Sequence, residues 1–215
     1  MLELAVKSLI AYFLGTVLGS LILGRLRGVD IRNMGSGNAG ATNALRTQGK
    51  AFGAAVLILD IGKGVAAVLW VPVLNFPGVA MPDPELSRQW LTLACGLAVI
   101  LGHVYPVWFG FRGGKGVATV VGVIGGLEPR LLLPLLSCWL IVLLLTGYVG
   151  LASMLAGVGL CIAVYWFEPA NAPLLVFCVL LTALVIYTHR GNIARMVAGT
   201  EHRVRRLWLF RSRTA

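Results

Sequence analysis

Val117-Ala118-Thr119-Val120-Val121-Gly122-Val123-Ile124-Gly125-Gly126-Leu127 is the stretch on which the architecture turns. It carries no charge, yet it is far shorter than the roughly 20 residues that a helix needs to cross a bilayer. Gly122, Gly125 and Gly126 leave two readings open, a thin or tilted crossing and a re-entrant segment. Longer apolar runs lie on both sides, at about 4–26, 51–74, 90–109, 130–147, 150–167 and 173–190. Counting 117–127 as a crossing makes seven spans; otherwise there are six.

The loop charges favour seven. Arg25, Arg27, Arg32, Arg46 and Lys50, against Asp30, follow the first run, and Asp83, Glu85 and Arg88 follow the second. Arg112 and Lys115 come next, then Glu128 and Arg130, an uncharged turn near Gly147, and Glu168. Arg190, Arg195, Arg203, Arg205, Arg206, Arg211 and Arg213 close the chain. Basic-rich and basic-poor connections alternate, as seven crossings with the N-terminus out and the C-terminus in require. The expectation is an all-α polytopic membrane protein with residues 25–50, 109–116 and 190–215 on the cytoplasmic face.

Composition agrees. Of 215 residues, 58% are hydrophobic and 12% charged, and the mean hydropathy is +0.88. Soluble domains are roughly 45–50% apolar and about 25% charged, so a soluble globule, a disordered chain and a disulfide scaffold are all excluded. The run at 4–26 is too long for the apolar core of a signal peptide. Eighteen basic and eight acidic residues give a net charge of +10. In a membrane protein that charge points to phospholipid headgroups and a phosphorylated substrate rather than nucleic acid. Cys95, Cys138, Cys161 and Cys178 have no metal-binding spacing and read as small buried hydrophobes.

Three polar segments gather on the basic face. In Met34–Arg46, the glycines let backbone N–H groups converge on an anion, and Asn38 is a candidate N-cap for a short helix running to Leu45. Asn43 and Arg46 share a face of that helix, three residues apart; the competing reading is a flexible turn. In Gly102–Thr119, Gly113-Gly114-Lys115-Gly116 imitates a nucleotide P-loop, but Phe109 and Gly116 stand where that motif needs Gly and Ser/Thr. Backbone N–H groups and an ammonium entering a helix remain, suited to a phosphoryl group or an oxyanion. His103 is ionisable within an apolar run, which marks it for function. In His189–Glu201, His189, Asn192 and Arg195 recur every third residue, as one helical stripe. Beyond them Ile193, Met196, Val197, Val204, Leu207 and Trp208 continue a helical period with arginines between. Residues 191–215 therefore read as a basic amphipathic tail on lipid headgroups. Inside the second run, Asp60 and Lys63 can pair, either structurally or towards a substrate.

Together the three segments closely resemble the bacterial acyl-phosphate:glycerol-3-phosphate acyltransferases, the PlsY family. Ser36–Arg46 matches its S-G-N-x-G-A-x-N-x-x-R pattern, Gly102–Thr119 its G-H-x-[FY]-P-x-x-x-x-F-x-G-G-K-G-V-A-T pattern, and His189–Glu201 its H-R-x-N-I-x-R-x-x-x-G-x-E pattern. The resemblance covers essentially the whole chain, so 1–215 is expected to form one transmembrane acyltransferase domain in a bacterial inner membrane. It implies transfer of a fatty acyl group from acyl phosphate to the 1-hydroxyl of sn-glycerol 3-phosphate, giving lysophosphatidic acid and inorganic phosphate. By the same resemblance, Gly113, Gly114 and Gly116 hold the donor's phosphoryl group, while Ser36, Arg46 and Lys115 engage glycerol phosphate. Gly37, Asn38, Asn43, Ser153 and Arg195 complete the expected binding set, and His103, Lys115, His189 and Asn192 the catalytic set. The family carries serines in the turn where this chain reads Gly150-Leu151-Ala152-Ser153, so Ala152 removes one expected hydroxyl.

The donor is a mixed anhydride and arrives activated, so the enzyme needs to position two anions and stabilise an oxyanion. No serine has an evident histidine–carboxylate relay, which favours direct transfer without an acyl-enzyme. No cofactor or metal is expected. The proton acceptor is His103, His189 or a substrate phosphate. The competing class is a small transporter or lipid-binding protein for an anionic solute, which lacks support from any inverted repeat. A CDP-alcohol phosphotransferase fails for want of an aspartate-rich metal motif.

Overall fold

The computed structural model describes residues 1–75, 87–204 and 208–209, and among them the chain is all-α. Its helices are α1 (Leu2–Thr16), α2 (Gly19–Leu26), α3 (Ala41–Gln48), α4 (Lys50–Leu69), α5 (Arg88–Val104), α6 (Val117–Leu127), α7 (Leu132–Thr146), α8 (Val149–Phe167), α9 (Ala172–Thr188) and α10 (Arg190–Val197). The chain divides into two compact units, Met1–Glu128 and Pro129–Ala215. Four of the helical segments, at Lys50–Val73, Arg88–Phe109, Pro129–Thr146 and Val149–Phe167, are long and apolar enough to cross a membrane. The pairs α1–α2 and α9–α10 pass the same test together but bend by 42° and 53°, which gives four to six candidate spans. Helix α6 has 11 residues and rises only about 16 Å, too short to be counted by length.

In the first unit, α1 and α5 run side by side in the same direction. At their starts Arg88 donates to both carboxylate oxygens of Glu3, at 2.6 and 2.7 Å. Lys7 adds a third bond to Glu3 at 2.8 Å and reaches the Pro72 carbonyl at 2.6 Å. Further along, Gly15 lies against Val99 and Gly102. Helices α4 and α6 are also parallel, with Gly122 on Ile61, Gly64 on Thr119 and Val123, and Gly126 on Val65, Val68 and Leu69. A side chain at Gly64 or Gly122 would strike a backbone carbonyl of the other helix. Such small-residue seams hold helices together where lipid removes the hydrophobic drive for association. By this register α6 ends level with the end of α4, although it begins about two turns deeper.

The run at 4–26, expected to be one helix, is two. Val17 and Leu18 are extended, with ψ of 92° and 110°, and the break frees carbonyls that a continuous helix would have paired. Within a bilayer such groups must find donors inside the protein. The Lys63 ammonium supplies them, donating to Gly15 O at 3.0 Å and Val17 O at 2.8 Å. No Pro marks the break, but Gly15-Thr16 and Gly19-Ser20 flank it on either side, and Lys63 on another span completes its hydrogen bonding.

In the second unit, α7 and α8 form a hairpin through Gly147, whose φ is +75°, and α8 packs on α9. Gly159 rests on Cys138 and Gly157 on Thr182. The expected amphipathic helix over 191–215 stops at Val197. Gly199 turns the chain with a φ of +71°, and the following segment returns to the hairpin. There Val204 N donates to Gly147 O at 2.8 Å and Trp208 Nε1 to Leu145 O at 3.0 Å. Arg203 stacks on Tyr148 and Trp208, 4.6 and 4.3 Å from the ring centroids. Arg205, Arg206, Leu207, Arg211 and Arg213 lie outside the described residues, as do Asp83 and Glu85.

Candidate active site

The first motif is built around one buried carboxamide. Asn43, 1% exposed, accepts from Ser36 N at 3.0 Å and donates through Nδ2 to the carbonyls of Ile31, Met34 and Asn38, each at 3.0 Å. The expectation that Asn43 binds substrate meets a physical obstacle, since every polar group of its side chain is already engaged. Asn43 shapes the loop that carries Ser36 and Gly37, both exposed. Asn38 is not the cap of α3 either; Gly40 occupies that position, with no side-chain hydrogen bond. Arg46 points outward from α3 and makes no hydrogen bond or ion pair among the described residues. Its guanidinium remains available to an anion.

A strut ties this loop to the second motif. Arg32 grips Asp30 with two prongs, Nε to Oδ1 at 3.1 Å and Nη2 to Oδ2 at 2.7 Å. Its Nη1 donates to Phe109 O at 3.2 Å and Arg112 O at 3.4 Å. The guanidinium's hydrogen bonds hold the Asp30 carboxyl below the usual carboxylate range, against a smaller opposing push from burial. Neither residue stood out in the sequence, where both read as loop charges.

In the second motif, α5 ends at Val104, ahead of Pro106, and the chain doubles back to bring Gly113 and Gly114 beside the helix end. Gly113 N donates to Val104 O and Gly114 N to His103 O, both at 3.1 Å. These two N–H groups, expected to cradle a phosphoryl group, are therefore consumed inside the protein. The donors left for an anion are at the start of α6, whose N-cap Gly116 has a φ of +81° and makes no side-chain capping bond. Lys115, half-buried, immediately precedes it. A helix N-terminus with an adjacent ammonium is suited to a phosphoryl group.

His103, 2% exposed, lies beneath this loop. A Cβ on Gly114 would collide with its Nε2, so the imidazole takes the space that any other residue at 114 would need. On its other side, Nδ1 is 2.9 Å from Lys63 Nζ. An ammonium can only donate, so Nδ1 accepts and the ring proton resides on Nε2. His103 in this form is a hydrogen-bond donor, unsuited to receive a substrate's proton. Lys63 also pairs with Asp60 at 3.0 Å, so its contacts with Gly15, Val17, His103 and Asp60 all lie within the protein.

The third motif belongs to the second unit. His189, 3% exposed, donates from Nδ1 to Val185 O at 2.7 Å, which makes Nε2 the ring's acceptor. The two histidines thus hold opposite tautomers. Asn192 Nδ2 and Arg195 Nε both donate to Glu201, at 2.7 Å to Oε1 and 2.6 Å to Oε2, while Gly150 packs on Asn192. The sequence placed Glu201 in the motif without a role; here it orients both residues. Ser153, expected to contact substrate, donates to Val149 O at 2.9 Å and accepts from Trp139 Nε1 at 3.3 Å. Among the described residues no three His, Cys, Asp or Glu side chains are grouped as a metal ion would require.

Apolar spans bearing an uncapped helix N-terminus, a neighbouring lysine and an outward arginine define a class: a multi-pass membrane protein that handles a phosphorylated molecule. Comparison with known proteins narrows it. A family model described as glycerol-3-phosphate acyltransferase matches residues 5–199. The glycerol-3-phosphate acyltransferase of Aquifex aeolicus (strain VF5) is 42% identical over 197 residues, covering 90% of this chain and 95% of that one. That of Agrobacterium fabrum (strain C58) is 43% identical, covering 94% and 92%. The crystal structure of PlsY (YgiH), an integral membrane glycerol 3-phosphate acyltransferase, in its glycerol 3-phosphate form aligns with a TM-score of 0.79 and 36% identity. That match covers 93% of this chain and 94% of the other. Its lysophosphatidic acid form aligns with a TM-score of 0.75 and 37% identity. The chain belongs to the glycerol-3-phosphate acyltransferase family.

Proposed function

We propose that this protein transfers a fatty acyl group from acyl phosphate to the 1-hydroxyl of sn-glycerol 3-phosphate, yielding lysophosphatidic acid and inorganic phosphate. The observation that carries the reading is the alignment, over 93% of the chain, with an acyltransferase solved in glycerol 3-phosphate and lysophosphatidic acid forms. The hydroxyl oxygen bonds to the donor's carbonyl carbon, and the carbon–oxygen bond to phosphate breaks with its electron pair leaving on phosphate. No acyl-enzyme forms.

The N-terminus of α6, Gly116 and Lys115 hold the donor's phosphoryl group and offset its charge. Gly113 and Gly114 shape that loop rather than donate to it. Ser36, Gly37, Asn38 and Arg46 present the acceptor's phosphate site, and Asn43 builds it. Arg195 and Asn192, oriented by Glu201, are the polar groups contributed by the third motif. Ser153 supports α8 through its bonds to Val149 and Trp139. The hydroxyl proton goes to His189 or to a substrate phosphate, since Nδ1 of His103 is already engaged with Lys63.

The topology that fits this chemistry has seven crossings in a bacterial inner membrane, with the N-terminus out, the C-terminus in and the motifs at the cytoplasmic face. It is supported by the alternation of loop charge and by the parallel register that carries α6 as far as the end of α4. The chain then works as one acyltransferase built from two helical units. Purified protein in lipid, given glycerol 3-phosphate with acyl phosphate or with acyl-CoA, tests the reaction through phosphate release. Release is expected with acyl phosphate only. No release with acyl phosphate refutes the reaction, and equal use of acyl-CoA refutes the donor.

A further inference from the structure

We propose that Lys63 and Asp60 are positioning residues for the donor's phosphoryl site, acting through His103. The inference rests on the reading of the α6 N-terminus as that site. Neither residue falls in the three motifs, yet Asp60 is 1% and Lys63 6% exposed, within a span. Charges there are expensive and are retained where they do something.

The contacts say what. Lys63 has three hydrogens and four acceptors around it: Gly15 O at 3.0 Å, Val17 O at 2.8 Å, His103 Nδ1 at 2.9 Å and Asp60 Oδ1 at 3.0 Å. A clamp on the broken helix alone would need the two carbonyls and a counter-charge. The fourth contact fixes the tautomer of His103, because an ammonium cannot accept. Asp60 Oδ1, 3.0 Å from Lys63 and 3.5 Å from His103 Nδ1, supplies the charge that keeps the ammonium in this place. Neither of its oxygens has a hydrogen bond of good geometry, so Asp60 acts by charge rather than by directional bonding.

The consequence lies on the opposite edge of the ring. His103 Nε2 occupies the space beside Gly114 where a Cβ would stand, and the His103 carbonyl accepts from Gly114 N at 3.1 Å. One residue therefore braces the loop from below by its ring and from the side by its backbone. The break in the first span, Lys63, His103 and Gly114 form one contiguous chain leading to the α6 N-terminus. Without Lys63, the imidazole loses the donor that makes Nε2 carry the proton, and the loop loses the fixed edge on which it sits.

The test joins a spectroscopic readout to kinetics. In protein labelled with 15N in its histidine rings, the His103 signals are assigned by their loss in His103→Gln. The wild type is expected to show a protonated Nε2 and a hydrogen-bonded, unprotonated Nδ1; a protonated Nδ1 overturns the proposal without any Lys63 variant. Lys63→Met and Asp60→Asn are expected to shift those signals, to raise KM for acyl phosphate and to leave KM for glycerol 3-phosphate near its original value. The fall in kcat/KM for acyl phosphate should be roughly ten- to a hundredfold, the scale of misplacing a reacting group by about an ångström. Unshifted signals, or equal changes in both KM values, refute positioning through His103. Should a variant fail to fold, the wild-type tautomer still decides. A wild type inactive with acyl phosphate instead refutes the reaction on which the inference rests, so the two failures are distinct.

Discussion

Asn43 offers the sharpest division between building a site and belonging to it. Its carboxamide accepts one hydrogen bond and has two hydrogens to share among three carbonyls. At about 1 kcal/mol net per bond, Asn43→Ala should cost about 3 kcal/mol of stability. It should also loosen Ser36 and so raise KM for glycerol 3-phosphate. Asn43→Asp is the more telling change because it keeps the shape and the acceptor for Ser36 N while turning an oxygen towards three carbonyl oxygens. Repulsion then replaces attraction, and the aspartate enzyme should be at least as damaged as the alanine enzyme in both melting temperature and KM. Thermal unfolding in detergent and initial rates across glycerol 3-phosphate concentration measure the two quantities. An aspartate variant clearly milder than alanine in both would mean that the three carbonyl contacts do not hold the loop, and the argument for a builder would be wrong.

Other expectations follow from the same geometry. Gly64→Ala drives a methyl group into the Thr119 carbonyl and should cost about 1–3 kcal/mol by overpacking. Gly62→Ala, with nothing within 4 Å of the new atom, should be neutral or stabilise by up to about 1 kcal/mol; thermal unfolding compares them. Arg46→Ala should raise KM for glycerol 3-phosphate without moving the melting temperature, since nothing in the described protein depends on its guanidinium. The Asp30–Arg32 strut has a pH signature. Because the folded carboxyl sits below its usual range, its contribution is present above about pH 3.9 and is lost as pH falls through the lowered value. KM measured from neutral to about pH 5 should not respond to this pair, whereas Asp30→Asn should raise KM throughout that range.

Which parts of this were legible in the sequence follows from what hydropathy and motifs can see. Helices α6, α7 and α8 fall within two residues of the runs at 117–127, 130–147 and 150–167, because unbroken apolar stretches fix both ends. The break after Thr16 escaped, since the flanking Gly15-Thr16 and Gly19-Ser20 are small enough to leave the run apolar on average, and the compensating Lys63 lies 46 residues further on, the separation of its bond to Val17. The tail misled in the opposite way. Its helical period runs on past Val197, but Gly199 turns the backbone and the returning segment spends its polar groups on Gly147 and Leu145. At the candidate site, the motifs singled out loops without revealing which of their polar atoms were already taken. Asn43, Ser153 and the Gly113 and Gly114 N–H groups all have internal partners, and only coordinates show that.

A consistent economy of charge emerges from those particulars. A backbone that breaks, turns or doubles back needs donors and acceptors from its own chain wherever it is buried, most of all inside a bilayer, where water cannot supply them. Asn43 meets that need at the 31–38 loop, Lys63 at the broken first span, and the His103 and Val104 carbonyls at the glycine loop. Only after these demands are met can a polar group face a substrate. On the proposed function, that criterion makes a motif residue with a saturated side chain a builder, and leaves one with an outward charge, such as Arg46, free to bind. The distinction matters for reading any variant in this chain. A builder's loss should appear in stability and binding together, while a binder's loss should appear in binding alone.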